Sequence, residues 1–279
     1  MKPLLEFKNV SYGYTNETLA LKNINITINK GERIAVLGNN GAGKSTFFLC
    51  SNGVLKPSAG NIMLKGKTIS SKKSELIDLR KTVGLVFQNP DDQIIASTVE
   101  SEISFGPLNL LFSKEQVISC VNEAIENMGL KEYRKRPPHY LSGGEKKRVS
   151  IADILAMYPE IILFDEPTAS LDLQNTTQLQ NILKELSSKG ITLMVATHDI
   201  DFVYRWAERV LIFHKGELLA DKNISDAFED EIILKKAGLQ KPTLYTIAEL
   251  LCKFKGIKTP KNLPKSLEEF PMFLKELKL

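Results

Sequence analysis

The sequence predicts an α/β fold built around a mostly parallel sheet. Five apolar runs of strand length recur along the chain, and their uninterrupted apolar character is typical of strands covered on both faces. The runs are RIAVLG (33–38), VGLVFQ (83–88), IILFD (161–165), ITLMVATH (191–198) and RVLIFH (209–214).

Three further regions are expected around this sheet. The stretches LLEFKNVSYGY, ALKNINITINKGE and NIMLKGKTI are β-rich and broken by Asn, Gly and Lys turns, which predicts an N-terminal antiparallel β region. A helical subdomain is expected over about 89–160. After about residue 232 the strand pattern ends, so we predict a main domain over 1–232. A helical extension over 233–279 follows, with helices in TLYTIAELLCKF and SLEEFPMFLKELKL.

Within the helical subdomain, local signals give the helix ends. Ser113 followed by Gln116 three residues later is a capping box, and this helix should end before Gly129. A second helix is expected from about Ser142 to the stop at 157–159.

Composition limits the class of protein. Cys50, Cys120 and Cys252 are far apart and have no zinc or redox spacing, which predicts reduced thiols and a cytoplasmic location. No run of 18 apolar residues occurs, so no membrane span is expected. Residues 241–279 carry eight lysines against four glutamates. A solvated surface explains this excess better than contact with nucleic acid or lipid, because the lysines alternate with apolar patterns.

A phosphate-binding loop follows the first apolar run. GNNGAGKS fits G-x-x-x-x-G-K-S between a strand and a helix, the context this loop requires. Its backbone N–H groups and the helix N-terminus favour phosphate, whereas a purely structural glycine turn leaves its lysine and serine unexplained. Lys44 is expected to reach the phosphates and Ser45 to bind Mg²⁺. The predicted nucleotide contacts here are Gly38, Asn39, Asn40, Gly41, Ala42, Gly43, Lys44, Ser45 and Thr46.

Two other strand ends supply catalytic candidates. IILFDEP places Asp165 at a strand end, where it can hold the metal, and Glu166 follows as the candidate base for an attacking water. A solvated turn is the alternative explanation for the adjacent carboxylates. His198 ends the next run and is expected to point at the same edge, near the γ-phosphate and Glu166.

The ordered set of motifs resembles the ATP-binding-cassette (ABC) ATPases over roughly residues 4–220. The set is the phosphate loop, Gln88 after VGLVFQ, LSGGE (141–145), ILFDEP, SLD (170–172) and His198. The resemblance implies ATP and Mg²⁺ as cofactors, adenine stacking on Tyr14, and γ-phosphate and metal sensing by Gln88. It also implies that Leu141, Ser142, Gly143, Gly144 and Glu145 act on the nucleotide of a second cassette, and that Asp172 helps to link the two.

A finer resemblance is to the ATPases of energy-coupling-factor (ECF) importers, most of all the cobalt-importer ATPase. It covers FQNPDDQIIASTVESEISFGPLNL, the signature region and PTLYTIAELL. It implies an ATPase pair, identical or paralogous, held partly by the C-terminal extension. The pair would sit peripherally on the cytoplasmic face of the cell membrane with a coupling subunit and a substrate-capture subunit, and no nucleic acid. Asn39, Glu145, Asp153, Ser170 and Leu173 depart from the commoner family pattern.

Other functions fit less well. A soluble repair ABC ATPase carries a very long coiled coil between loop and signature, and a translation ATPase carries two cassettes. A P-loop kinase of a small metabolite would leave LSGGE without a role. An ECF ATPase for a vitamin stays open. Asp91 and Asp92, after Pro90, fit either a solvated turn or a docking groove for a basic segment of the coupling subunit.

Overall fold

The computed structural model describes residues 3–15, 17–169 and 171–277. Ser170, one of the departures from the family pattern, lies outside them. The strands are β1 Pro3–Tyr12, β2 Leu21–Asn29, β3 Arg33–Leu37, β4 Ala59–Leu64, β5 Lys67–Thr68, β6 Val83–Val86, β7 Ile161–Asp165, β8 Thr192–Ala196, β9 Arg209–His214 and β10 Glu217–Asn223. The α-helices are α1 Lys44–Ser51, α2 Lys73–Thr82, α3 Val99–Asn109, α4 Lys114–Asn127, α5 Gly143–Leu155, α6 Leu173–Ser188, α7 Ile200–Trp206, α8 Ile224–Glu229, α9 Glu231–Ala237, α10 Thr243–Phe254 and α11 Phe270–Glu276.

The larger sheet has the order β10-β9-β3-β8-β7-β6. Its strands β9, β3, β8, β7 and β6 pair in parallel, and β10 joins β9 antiparallel at one edge. Each of the five apolar runs forms one of the parallel strands, so the predicted parallel sheet is confirmed. Because the strands run in one direction, the residues that follow β3, β6, β7 and β8 meet at one edge.

The predicted antiparallel region forms a second sheet with the order β2-β1-β4-β5. Helix α1 packs between the two sheets. The ring of Phe47 lies 4.8 Å from Phe7 of β1 and 5.2 Å from Phe213 of β9, measured between ring centroids. All three rings are buried, and they fix the helix that follows the phosphate loop against both sheets.

The helical subdomain contains the two predicted helix starts. Ser113 caps α4 and Ser142 caps α5, and each helix has a complete capping box with Gln116 or Glu145. Helix α4 ends at Asn127, two residues before Gly129, which adopts the left-handed backbone conformation with φ 61°. Both predicted helices are therefore confirmed.

The C-terminal extension is helical, with one correction. Helix α10 covers TLYTIAELLCKF as predicted, but within 266–277, the described part of SLEEFPMFLKELKL, the α-helix is limited to α11. Pro271 explains the later start, because proline lacks an N–H group and fits the first turn of a helix. Tyr245 of α10 packs edge-on against Tyr204 of α7 at 5.8 Å, within the core cluster that includes the helical subdomain. The boundary at residue 232 stays a prediction.

Two expectations from composition can be checked directly. Cys50, Cys120 and Cys252 are buried free thiols, as expected. In the part of the chain that the structure describes, no helix has the length and apolar character needed to cross a bilayer.

Candidate nucleotide site

An open cleft of about 630 Å³ lies at the edge where the parallel strands end. It contains the phosphate-loop residues 40–46 together with residues from the ends of β6, β7 and β8. The lining consists of Tyr14, Ala20, Asn40, Gly41, Ala42, Gly43, Lys44, Ser45, Thr46, Gln88, Asp165, Glu166, Ala169 and His198. All of these except Ala20 and Ala169 are sequence-predicted site residues, so the fold brings the candidate residues together.

Gly38 and Asn39, also predicted as nucleotide contacts, are not among these lining residues. Their carbonyl oxygens accept hydrogen bonds from Nζ of Lys44 at 2.7 and 3.4 Å. Gly38 has φ 149°, and a Cβ atom there would lie 2.4 Å from the carbonyl oxygen of Phe213. The close approach of the two backbones therefore requires glycine at this position.

Gly43 shapes the other end of the loop. Its φ is 109°, and a Cβ atom would lie 2.6 Å from the carbonyl oxygen of Ala20. Helix α1 begins at the next residue, so its unpaired N–H groups face the cleft. A helix N-terminus with free N–H groups favours a bound anion.

Lys44 is the only lysine that lines the cleft, among the residues described, and only 7% of its surface is exposed. Burial lowers the pKa of its ammonium group, and the charges of Glu166 and Asp165 oppose that shift. The observed partners of Nζ are neutral carbonyl oxygens. A phosphate group would pair with this ammonium more strongly than they do.

Glu166 has the features expected of a catalytic carboxylate. Its backbone lies in the left-handed region with φ 43°, a strained conformation for glutamate that is found mainly at functional sites. Its Oε1 atom is shielded from solvent and accepts no directed hydrogen bond from any described residue, although Nε2 of His198 is 2.9 Å away. Nε2 of His198 forms its hydrogen bond with Oδ1 of Asn40, at 3.1 Å. An unpaired buried oxygen in this position fits a water molecule that is about to be activated.

The environment shifts the pKa values of both residues. Burial raises the pKa of Glu166; Lys44 opposes the shift and Asp165 adds to it. Burial also lowers the pKa of His198, and the nearby Lys44 lowers it further. At neutral pH the imidazole is therefore uncharged, and the carboxylate is a stronger base than an exposed glutamate.

The oxygen atoms of three residues could hold Mg²⁺ at this cleft. Ser45 offers a hydroxyl, Asp165 a carboxylate and Gln88 an amide oxygen, and Mg²⁺ prefers such ligands. In residues 3–15, 17–169 and 171–277, no group of three or more His, Cys, Asp and Glu side chains could hold a metal ion.

Tyr14 stands at the mouth of the cleft. Its hydroxyl group is 3.2 Å from Oγ1 of Thr46, and 62% of its surface is exposed. The rings of Tyr14 and Tyr12 form a T-shaped contact, with 5.1 Å between their centroids. The contact leaves the ring largely exposed, and such a ring can stack on a planar base.

The LSGGE segment lies outside the cleft lining that its own chain provides. Ser142 and Gly143 are exposed at the start of α5, whereas Leu141 and Gly144 are buried. A Cβ atom on Gly144 would lie 2.0 Å from Oδ1 of Asn175, so the segment is packed tightly against α6. Asp172 caps α6 by accepting a 2.7 Å hydrogen bond from the backbone N–H of Asn175.

Known proteins similar to this chain include ATP-binding proteins of ABC transporters. The model of the ABC transporter family matches residues 21–169. The energy-coupling factor transporter ATP-binding protein EcfA of Methanocaldococcus jannaschii is 46% identical over 90% of each chain. EcfA2 of Methanospirillum hungatei is 43% identical over 96% of this chain and 67% of its own. The chain belongs to the ABC transporter ATPase family.

Solved structures of ABC ATPases agree with this membership. CbiO1 of Clostridium perfringens, part of the ABC transporter complex CbiONQ, is 36% identical with a TM-score of 0.75, over 90% of this chain and 99% of its own. A dimeric cassette in a post-hydrolysis state with ADP and Pi bound is 31% identical with a TM-score of 0.70, over 79% of this chain and 99% of its own. As an ABC ATPase, the chain binds and hydrolyses ATP.

Sequence reasoning missed two lining residues of this ABC ATPase. Ala20 precedes β2 and Ala169 follows β7, and neither belongs to a motif. Ala20 could be found only from the tertiary structure, because its carbonyl oxygen borders Gly43, far away in the sequence. The position of Ala169 follows from the turn in which its N–H group donates to the carbonyl oxygen of Glu166 at 3.1 Å.

The backbone of Gly43 gives a direct test of the phosphate loop. We expect Gly43→Ala to weaken ATP binding at least about tenfold, because the new Cβ atom must displace the loop from Ala20. Gly31→Ala is the matched control, since Gly31 also has a positive φ of 81° but a Cβ atom there would have no neighbouring atom within 4 Å. Titration with a fluorescent ATP analogue measures both. Equal affinities for the two variants would contradict this role of the loop.

Proposed function

We propose that this chain is the ATP-hydrolysing subunit of an ECF-type importer, bound peripherally to the cytoplasmic face of the cell membrane. The cleft carries the proposal, because it joins a phosphate loop, a strained carboxylate and a histidine at one sheet edge. Similarity to EcfA of Methanocaldococcus jannaschii over 90% of each chain supports the ECF class.

The phosphate loop holds the nucleotide in this proposal. The N–H groups of the loop and of the start of α1 donate to phosphate oxygens, and Lys44 exchanges the carbonyl oxygens of Gly38 and Asn39 for the β- and γ-phosphates. Tyr14 stacks on the adenine. Ser45, Gln88 and Asp165 would hold Mg²⁺, and the ion would supply positive charge that offsets the charge of the phosphates.

Glu166 is the proposed base. Its unpaired Oε1 atom accepts a proton from the attacking water, and its raised pKa makes it a better proton acceptor than an exposed glutamate. His198 is uncharged and lies 2.9 Å from this oxygen, so it can orient the water and hydrogen-bond the γ-phosphate.

The exposed signature segment completes the site of a second ATPase subunit. The residues of this segment lie at the N-terminus of α5, outside the cleft of their own chain, and a helix N-terminus favours an anion; they are Leu141, Ser142, Gly143, Gly144 and Glu145. Ser142 and Gly143 are exposed and therefore accessible to another subunit. Asp172, exposed at the start of the adjoining α6, contacts the same partner.

The C-terminal extension contributes a contact in this ATPase pair, whether the partner is identical or a paralogue. Helix α10 buries one face and exposes apolar side chains on another, namely Ile247 at 42%, Leu250 at 59% and Phe254 at 84%. Their spacing of three and four residues aligns them along the helix. An exposed apolar stripe of this kind favours contact with another protein surface.

Cobalt or a related micronutrient is the proposed substrate of the whole importer. The resemblance of the sequence motifs to the cobalt-importer ATPase motivates this proposal, and an ECF ATPase for a vitamin is the alternative. The membrane coupling and capture subunits are partners in the proposal, and the capture subunit selects the substrate. Uptake of radioactive Co²⁺ by the reconstituted importer tests this point, and uptake of a vitamin without Co²⁺ would contradict it.

Glu166→Gln tests the chemistry. We expect ATP binding to be retained and turnover to fall by about a hundredfold or more, because the amide keeps the shape but cannot take a proton. In the wild type, turnover should fall as the pH drops through the pKa of Glu166. Since burial raises that pKa, the loss begins at a higher pH than for an exposed glutamate.

Stopped-flow phosphate release across a pH series measures these effects, and Glu160→Gln is the control because Glu160 lies outside the cleft. Wild-type turnover in Glu166→Gln would remove Glu166 from the chemistry.

Two surface changes on α10 test the assembly. We expect Leu250→Lys with Phe254→Lys to weaken association of the two ATPase subunits while leaving ATP binding unchanged, because both side chains are exposed and far from the cleft in sequence. Lys253→Glu on the same helix is the control for a change of charge alone. Copurification with the membrane subunits and sedimentation of the ATPase pair report the outcome. Unchanged association would place the contact elsewhere.

A further inference from the structure

Helix α5 is fastened to the segment that carries Gln88. Lys147, in the second turn of α5, has only 2% of its surface exposed. Its Nζ atom donates to the carbonyl oxygen of Phe87 at 2.9 Å and to that of Gln88 at 2.7 Å. Both partners are neutral backbone groups, whereas a buried lysine is usually paired with a carboxylate.

Packing alone does not account for a lysine here. The ammonium group has lost almost all contact with water, and its partners are neutral carbonyl oxygens, so its charge is costly to bury. A methionine would fill a similar volume without that penalty. The N–H donors of Lys147 therefore have a role at the two carbonyl oxygens that an apolar side chain could not fill.

The carbonyl groups explain the need for donors. Strand β6 ends at Val86, so the next two peptide groups leave the sheet and need other hydrogen-bond partners. An ammonium group has three donors and can satisfy both carbonyl oxygens at once. Gln93 adds a second link, since its Oε1 accepts from the N–H of Phe87 at 3.2 Å and its Nε2 donates to the carbonyl oxygen of Ser150 at 2.9 Å.

Helix α5 also packs against α6. Gly144 packs against Asn175, and the guanidinium of Arg148 donates to the side chain of Gln178 at 2.8 Å. Helix α5 therefore contacts both the Gln88 segment and the helix capped by Asp172, and the LSGGE segment lies at its N-terminus.

We propose that Lys147 is a positioning residue for ATP hydrolysis, which acts by fixing the backbone of Gln88 to the helix that presents the signature segment. The inference rests on the proposed role of Gln88 at the γ-phosphate and metal. Through this link, a displacement of Gln88 moves the signature helix, and a partner nucleotide on the signature helix restrains Gln88. Lys147 itself contacts neither nucleotide nor metal.

A double-mutant cycle separates this role from a structural one. Lys147→Met removes the donors and keeps the apolar stem. We expect ATP affinity to stay within about threefold and turnover to fall about tenfold to a hundredfold, since a displaced catalytic group is costly even when the substrate is bound. If Lys147 acts through Gln88, Lys147→Met should add little to the loss caused by Gln88→Ala.

Two further variants complete the test. Lys147→Gln keeps two N–H donors on its amide and should recover most of the turnover that Lys147→Met loses. Lys146→Met is the control at the neighbouring position of the same helix. It removes the 2.7 Å ion pair with the exposed carboxylate of Asp91, and we expect turnover to stay unchanged. Melting temperatures of all variants show whether the fold is retained.

The outcomes of this proposal and of the proposed function are distinct. If Gln88→Ala keeps full turnover, the role of Gln88 fails and the inference fails with it. If Gln88→Ala loses turnover but the losses of the two single variants multiply in the double variant, Lys147 acts independently of Gln88 and the positioning role is overturned. The positioning role is also overturned if Lys147→Met loses turnover only to the extent that it unfolds and Lys147→Gln recovers none of it.

Discussion

The buried ammonium group of Lys44 is the interaction on which the rest of the site depends. It lies at a sheet edge, 2.7 Å from the carbonyl oxygen of Gly38, and its charge is disfavoured by burial. Asp165 and Glu166 stabilise that charge from the end of β7. An anion placed between the lysine and the N-terminus of α1 would offset the cost of burial, so the geometry of the loop favours phosphate.

Glu166 and His198, which also line this cleft, have their protonation shifted by burial and by the charges nearby. Glu166 is held in a strained conformation with an unpaired oxygen, and its pKa is raised, whereas His198 is kept uncharged beside it. Strain of this kind persists only when the surrounding fold holds it in place. Here the N–H group of Glu166 donates to the carbonyl oxygen of Ala196 at 2.9 Å, which fastens it to the end of the neighbouring β8.

Local patterns were sufficient to predict much of this molecule. The apolar runs gave the parallel strands, and Ser113 and Ser142 marked the starts of α4 and α5, because strand burial and helix capping depend on residues close together in sequence. The phosphate loop was predictable for the same reason. Its first two residues, Gly38 and Asn39, accept hydrogen bonds from Lys44 through their carbonyl oxygens, and their contact with nucleotide stays a prediction.

Features that depend on distant parts of the chain were not predictable. The lining by Ala20, the left-handed backbone of Glu166 and the contact of Lys147 with the carbonyl oxygen of Gln88 each need partners brought together by the fold. Asp91 belongs to the same group. Its sequence context fitted either a solvated turn or a docking groove, and the structure pairs it with Lys146 on α5. The docking role stays a prediction.

The exposed Ser142 and Gly143 at the start of α5 lead to the central claim, that two subunits share each nucleotide. The most direct measurement is light scattering of Glu166→Gln at concentrations where the nucleotide-free protein is monomeric. ATP should drive this variant into dimers, and adding Ser142→Arg should keep it monomeric while its own phosphate loop still binds ATP, since Ser142 is exposed outside that cleft. Equal ATP-driven association with and without Ser142→Arg would contradict the claim.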